Sequence, residues 1–277
     1  MRTTPEHVDA ASRYGLARRE VTVHQDGRAH HGADWMVEEA PVELRYNGES
    51  FAVMMATPAD LVDFAHGFSL SEGRVEHAGD IRSVTVHERL EGYVLDIEVD
   101  SPARPADTPS ARRLPGRSGC GLCGSRRLED VLRAPAAVAD GLVLAPGALE
   151  HALATLAGRQ PLNVDSGAAH AAAWAAADGD IACVREDVGR HNALDKLLGA
   201  LVRDGAALDR GFVLVTSRAS YEMVTKTARL GIGLLAAISA PTALAVALAR
   251  ASHLTLVGFA RPGRHVVYSH PQRLGAT

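Results

Sequence analysis

The chain has 277 residues, a formal net charge of −4, 47% apolar residues and 22% charged residues. That length and composition fit an ordinary globular protein with ample material for a core. The acidic balance excludes a broad nucleic-acid footprint, which needs a basic excess, and leaves room for a local basic pocket. Three cysteines do not make a disulfide framework, and the first ten residues, M-R-T-T-P-E-H-V-D-A, lack the apolar run of a signal peptide, so a reduced cytoplasmic setting is expected.

Residues 1–34 are polar and read as an irregular N-terminal arm. A smaller β-rich part is expected over 35–116. In it, P-V-E-L-R-Y-N-G-E-S-F-A-V-M-M-A (41–56) predicts two strands around the turn pair Asn47-Gly48. Thr57 as N-cap, Pro58 at the first helical position and Asp60 at the third then predict a helix whose face carries Leu61, Phe64, Ala65 and Phe68. I-R-S-V-T-V-H and Y-V-L-D-I-E-V alternate as a second strand pair. Residues 101–117 hold four prolines and four arginines and read as a surface loop.

From 117 onward a larger α/β part is expected. It opens on R-S-G-C-G-L-C-G, and short helices are predicted at R-R-L-E-D-V-L-R and near P-G-A-L-E-H-A-L-A-T-L. Strands at 181–185, 212–217, 234–239, 254–259 and 265–269 then alternate with helices at 192–202, 221–230 and 242–251. This order implies βαβ units with helices on the faces of a sheet. The uncharged run 230–249 is long enough to span a bilayer, but Pro241 divides it, and it reads as a buried strand, a turn and a buried helix.

In such sheets, ligands gather beyond the carboxyl ends of the strands. Three strand ends are polar here. One carries Asp187, Arg190, His191 and Asn192, the next Arg218, Ser220 and Glu222, and the third Arg261 and Arg264 around a Pro-Gly turn. The first two lead into helix N-termini, where free N–H groups favour anions, and arginine adds bidentate donors for phosphate. A phosphate-bearing, nucleotide-like ligand fits this pattern; capping by Ser220 and Asn192, with solvated charges, is the alternative.

Cys120 and Cys123 are flanked by Gly119, Gly121 and Gly124 and lie among Arg113, Arg117, Arg126 and Arg127. A zinc site needs four ligands, and this pair supplies two without a second pair to complete the set. A redox pair of the thioredoxin kind follows a strand, whereas this one follows a Pro/Arg-rich loop. A mobile nucleophilic thiol fits better, because neighbouring arginines and a following helix N-terminus both lower a thiol pKa. That local argument favours Cys123. Cys183, inside an apolar strand, reads as a small core residue.

Together, G-C-G-L-C-G, E-D-V-G-R-H-N-A-L-D-K, S-R-A-S-Y-E-M-V-T-K, I-S-A-P-T-A-L-A, G-F-A-R-P-G-R and the earlier L-V-D-F-A-H-G-F-S-L-S-E-G resemble the FdhD/NarQ family, the formate dehydrogenase accessory sulfurtransferases. The resemblance implies a cytidine-deaminase-like α/β fold, a layered sheet with helices on its faces, plus a smaller N-terminal β-rich α+β part, in a homodimer. It implies a sulfur carrier that takes a persulfide sulfur from a cysteine desulfurase and passes it to the molybdenum (or tungsten) bis-guanine-dinucleotide cofactor, a bound substrate, on behalf of formate dehydrogenase. Cys120 would be the carrier and Cys123 its partner, and the cofactor segment would be Phe259, Ala260, Arg261, Pro262, Gly263 and Arg264. Arg190, His191, Arg218 and Ser220 are further pocket candidates on the strand-end argument. No permanent metal, nucleic-acid partner or membrane insertion is expected. G-A-A-H-A-A-A-W (167–174) has alanine where a deaminase would carry its glutamate, and no P-C-x-x-C follows, which argues against deamination. The competing reading is a non-catalytic nucleotide-binding protein with a structural CxxC.

Overall fold

The structure, a computed structural model, describes residues 12–100 and 135–275. It begins with a β-ribbon. The short β1 (Ser12–Arg13) pairs with β2 (Leu16–Gln25), which pairs antiparallel with β3 (Arg28–Val37) over ten positions, from Leu16↔Val37 to Gln25↔Arg28. Residues 12–34 are therefore an ordered ribbon, where an irregular arm was expected. The cause is local: Asp26 (φ 51°) and Gly27 (φ 74°) take the two left-handed positions of a primed hairpin turn, which matches strand twist. The ribbon is exposed on both faces over most of its length, so a polar composition disguised it. Only its base is packed, where Leu16, Trp35 and Val37 meet Leu162 and Ala169.

The second layer is a four-stranded sheet of order β5-β4-β7-β6, built from β4 (Ala40–Tyr46), β5 (Glu49–Ala56), β6 (Ile81–Arg89) and β7 (Gly92–Val99). The expected turn forms with Asn47 and Gly48 at positive φ. Helix α1 (Leu61–Ser71) buries Phe64 and Phe68 against Val42, Leu44, Leu95 and Ile97. It starts later than the capping pattern predicts, with a left-handed Asp60 before Leu61. Thr57 does not cap because its polar groups are taken elsewhere. Its N–H donates to Asp187 Oδ2 (3.0 Å), its carbonyl accepts from Lys196 Nζ (2.9 Å), and its Oγ1 accepts from the Val188 N–H (3.1 Å).

The third layer is a six-stranded mixed sheet of order β13-β12-β11-β10-β8-β9. Its strands are β8 (His170–Ala176), β9 (Ile181–Asp187), β10 (Gly211–Val215), β11 (Leu234–Ala237), β12 (Thr255–Arg261) and β13 (Arg264–Ser269). β10, β11 and β12 are parallel, β8 opposes β10, and β9 opposes β8. The strands β9 to β12 thus all deliver their carboxyl ends to one edge. Helices α4 (Arg190–Arg203), α5 (Tyr221–Arg229) and α6 (Ala243–Ala251) bury Leu194, Leu197, Met223, Val224 and Leu248 on one face. Helix α2 (Ala148–Leu156) covers the other face with Leu149, Ala152 and Leu156, and a short α3 (Pro161–Ser166) follows. The apolar run 230–249 becomes β11, a turn through Pro241 and α6, and no helix of the described residues is long and apolar enough to cross a membrane. The architecture is a layered, mixed α/β fold with a smaller β-rich part, as expected.

Two glycines join the second and third layers. A Cβ on Gly67 of α1 would stand 1.7 Å from the carbonyl oxygen of Asp195 in α4, and one on Gly199 would stand 1.9 Å from that of Asp63. The two helix backbones touch, and no side chain larger than hydrogen fits between them. Gly67→Ala and Gly199→Ala should each lower unfolding stability by about 1–3 kcal/mol or more through forced separation. Urea melts of the two variants measure this, and wild-type midpoints would show that the helices have room to part.

Candidate functional site

Asp187 closes β9 and is fully buried. It forms a 2.7 Å ion pair with Lys196 Nζ, with both side chains inaccessible. Its Oδ1 accepts from the Gly189 N–H (2.7 Å) and Asn192 Nδ2 (3.1 Å), and its Oδ2 accepts from the Thr57 N–H. Every lone-pair direction is in use, so Asp187 fixes the β9–α4 turn and does not offer itself to a ligand. Asn192 is likewise engaged, donating to the Met55 carbonyl at 2.8 Å, and Gly189 holds the N-cap position in its stead. The loop after β5 therefore supports the turn that presents Arg190 and His191.

His191 Nε2 lies 2.5 Å from Glu222 Oε2 and 3.5 Å from Ser220 Oγ. Ser220 occupies the N-cap position of α5, and its hydroxyl makes no capping bond to the helix. Ser220 and Glu222 address the same ring nitrogen, so this is not a serine–histidine–acid relay, which needs both nitrogens. It is a carboxylate grip on an imidazole at the carboxyl edge. His170 begins β8 directly opposite Asp187. Burial pushes its pKa down first, and Arg190 and His191 push it further, against the pull of Asp187. Arg218 is exposed beside Ala219.

The Phe259–Arg264 segment lies at the other end of the same edge. Phe259 sits at φ 49°, a left-handed conformation that is uncommon without glycine, and marks a bulge in the β12–β13 pairing. Its N–H donates to the Ser239 carbonyl (3.0 Å), and Ala260 is buried in the α2-side core. Arg261, Pro262, Gly263 and Arg264 are exposed, and the Arg264 guanidinium stands 5.9 Å from the Phe259 ring centre. Between the two groups, Ala219 and Pro241 form a bridge, and Thr242 N–H donates to the Ala219 carbonyl (3.0 Å). The structure thus lines the predicted residues along one edge in two groups, His191 with Ser220 and Glu222, and Arg264 with Phe259.

Cys120 and Cys123 lie outside the described residues, as does the helix predicted at 126–133. Cys183 is half-buried in β9, packs against the helix-side core and accepts from Arg185 Nη1 at 3.3 Å. Burial raises its pKa, which suits a packing thiol and not a nucleophile. Sequence reasoning passed over the charges beneath the edge. Lys226 Nζ reaches Asp195 (2.9 Å), Glu72 (2.7 Å) and Ser71 Oγ (2.8 Å) in near-complete burial. Burial alone would push Lys226 down, and the two carboxylates reverse it, so the ammonium is held. Asp63 accepts from Arg185 Nε (2.8 Å) and also from Arg203. The available signal was an acid or a base on the otherwise apolar face of a helix.

These features define a layered α/β protein whose carboxyl strand edge carries exposed arginines, docked on a small α+β layer. The FdhD/NarQ family model matches residues 37–275, and the chain belongs to that family. It is 55% identical over 262 residues to a protein of Xanthomonas euvesicatoria pv. vesicatoria named sulfur carrier protein FdhD, covering 95% of this chain and 93% of that one. It is 55% identical over 241 residues to the protein of the same name in Cupriavidus necator, covering 87% and 84%. Among solved structures it resembles a protein of Desulfotalea psychrophila described as a formate dehydrogenase accessory protein, with a TM-score of 0.72, 25% identity, and coverage of 94% and 99%.

His170 gives a pH dependence with a defined sign. Its folded pKa lies below the ordinary value, so the unfolded chain takes up the proton first as pH falls. The contribution is fully present above about pH 6.5 and is lost as pH drops below it. His66, whose pKa is lowered by burial and then by Arg203, acts in the same sense. Denaturation midpoints should therefore fall between neutral pH and pH ~5. His170→Gln should flatten that slope, and an unchanged slope would assign it to other groups.

Proposed function

We propose that this protein is a sulfur carrier that accepts a persulfide sulfur from a cysteine desulfurase and delivers it to a molybdenum or tungsten bis-guanine-dinucleotide cofactor, its cargo, for formate dehydrogenase. The observation that carries the reading is the carboxyl edge of the six-stranded sheet. In a chain of the FdhD/NarQ family, that edge carries exposed arginines and two helix N-termini, the donors a dinucleotide's phosphates need. Asp187, the buried acid that closes β9, is neutralised by its pairing with Lys196, so it does not repel an anion.

In the first step, the Cys120 thiolate attacks the outer sulfur of the desulfurase persulfide. One S–S bond forms, one breaks, and the desulfurase thiolate leaves. In the second step, the Cys123 thiolate attacks the Cys120 sulfur, and hydrosulfide departs toward the bound cargo. The two electrons come from the thiol pair, which closes as a disulfide, and a cellular dithiol returns it to the reduced form. Arg261 and Arg264 hold phosphate at one end of the edge, while Arg190, His191, Arg218 and Ser220 line the other.

Incubation with a desulfurase and free cysteine should add about 32 Da, one sulfur atom, to a peptide containing Cys120. Cys120→Ala should abolish the gain and fail to restore formate dehydrogenase activity. Cys123→Ala should still load and fail to release. Loading that survives Cys120→Ala would overturn the carrier assignment. Arg261→Ala and Arg264→Ala should each weaken GDP binding by roughly tenfold as a charge-assisted contact is lost, read by calorimetry, and equal affinities would remove them from the site.

A further inference from the structure

The Arg261–Arg264 turn is not empty of anions. Gly263, at φ 75°, is the second central residue of a Pro-Gly turn flanked in sequence by Arg261 and Arg264. Its backbone N–H is met by Glu150, in the first turn of α2. The Glu150 Oε2 accepts from the Gly263 N–H at 2.9 Å, and its Oε1 lies 3.7 Å from His265 Nδ1.

The contact lies just beyond the bulge at Phe259, which shifts the β12–β13 register between Gly258 and Arg261. Neither arginine shares in the contact. Arg264 lies over the Phe259 ring, and among the described residues no hydrogen bond or ion pair involves the Arg261 side chain. The carboxylate has therefore taken the backbone donor and left both guanidinium groups open.

We propose that Glu150 is an internal stand-in for the ligand's phosphate, a carboxylate that occupies the Gly263 N–H until a nucleotide phosphate displaces it. The inference rests on the reading of this turn as the guanine-dinucleotide subsite. One N–H holds one strong acceptor in line, so carboxylate and phosphate compete for it. Their like charges also repel at short range. Glu150 thus lowers the affinity of the turn for small anions and favours a ligand with enough further contacts to evict it. That is a filter for the full dinucleotide cargo over free mononucleotides and phosphate. With its side chain 40% exposed, Glu150 swings out into water without leaving a buried charge behind.

The test is calorimetry with GDP as the probe on the full chain, for the wild type, Glu150→Gln and Glu150→Ala. The glutamine keeps an acceptor for the Gly263 N–H and removes the charge, which separates repulsion from support. Glu150→Gln should bind GDP about three- to tenfold more tightly at low salt, a gain that shrinks as salt screens the repulsion. Glu150→Ala should also bind more tightly. Wild-type binding matched by Glu150→Gln, or weakened binding in Glu150→Ala, would make Glu150 a mere support and overturn the inference alone. No GDP binding by any of the three proteins would overturn the subsite reading and this inference with it.

Discussion

The contact of α1 with α4 through Gly67 and Gly199 is the constraint on which the other layers depend. Beside the touching backbones, Asp63, Ser71, Asp195 and Lys226 are almost wholly buried. The charges on them must be satisfied across the contact, and they are. Asp63 on α1 takes Arg185 from β9 and Arg203 from α4. Ser71 and Glu72 at the end of α1 meet Lys226 and Asp195. Thr57, ahead of α1, meets Asp187 and Lys196. Buried pairs of this kind add little stability as they stand, because desolvation offsets attraction. Separating them leaves lone charges in an apolar setting, which is far more costly. The small layer and the α/β layer are thus locked in one register.

The lock reaches the candidate site directly. The turn after β9 takes its shape from Asp187, and Asp187 takes its fourth partner from the other layer. Met55 and Thr57 belong to the small sheet's side of the molecule, yet they determine where Arg190 and His191 stand. The opposite end of the edge is built differently. Phe259 is held by one backbone bond to Ser239, and the turn beyond it projects into solvent. One end of the edge is rigid and gripped by carboxylates; the other is a short hairpin whose contact beyond the sheet is a surface glutamate. A long anionic ligand laid across the edge would meet a fixed end and an adjustable one.

Much of this was legible in the sequence, for physical reasons that differ by element. The β12, β10 and β9 strands are β-branched or apolar runs bounded by turn residues, and α4 and α5 repeat apolar residues at helical spacing, so pattern found them. β8 escaped because His170–Ala176 is almost all alanine, a residue that favours helices, and its strand state comes from pairing between β9 and β10. The N-terminal ribbon escaped because hydrophobic alternation marks a buried face, and the ribbon has none beyond its base. Thr57 was misread as a helix cap because a cap motif and a docking loop use the same hydroxyl. The pairing of His191 with Glu222, thirty-one positions apart, is set by the order of strands in the sheet, which no local pattern encodes. The strand-end rule did bring Arg190, His191, Arg218, Ser220, Arg261 and Arg264 to one edge of the sheet, while Phe259 entered only through the family resemblance.

The ribbon of β2 and β3 has one more consequence. A backbone ladder pairs its strands over ten positions, while its apolar burial is concentrated at the base, at Leu16, Ala17, Trp35 and Val37. A two-stranded ribbon without a covered face is marginal in water. It therefore melts on its own account, from the tip at Asp26-Gly27 down to its root, while the rest of the fold stays closed. Local stability thus has two tiers: amides of the ribbon trade their hydrogens with solvent through cheap openings, and the paired amides of the buried central strands β10 and β11 trade theirs through far larger ones.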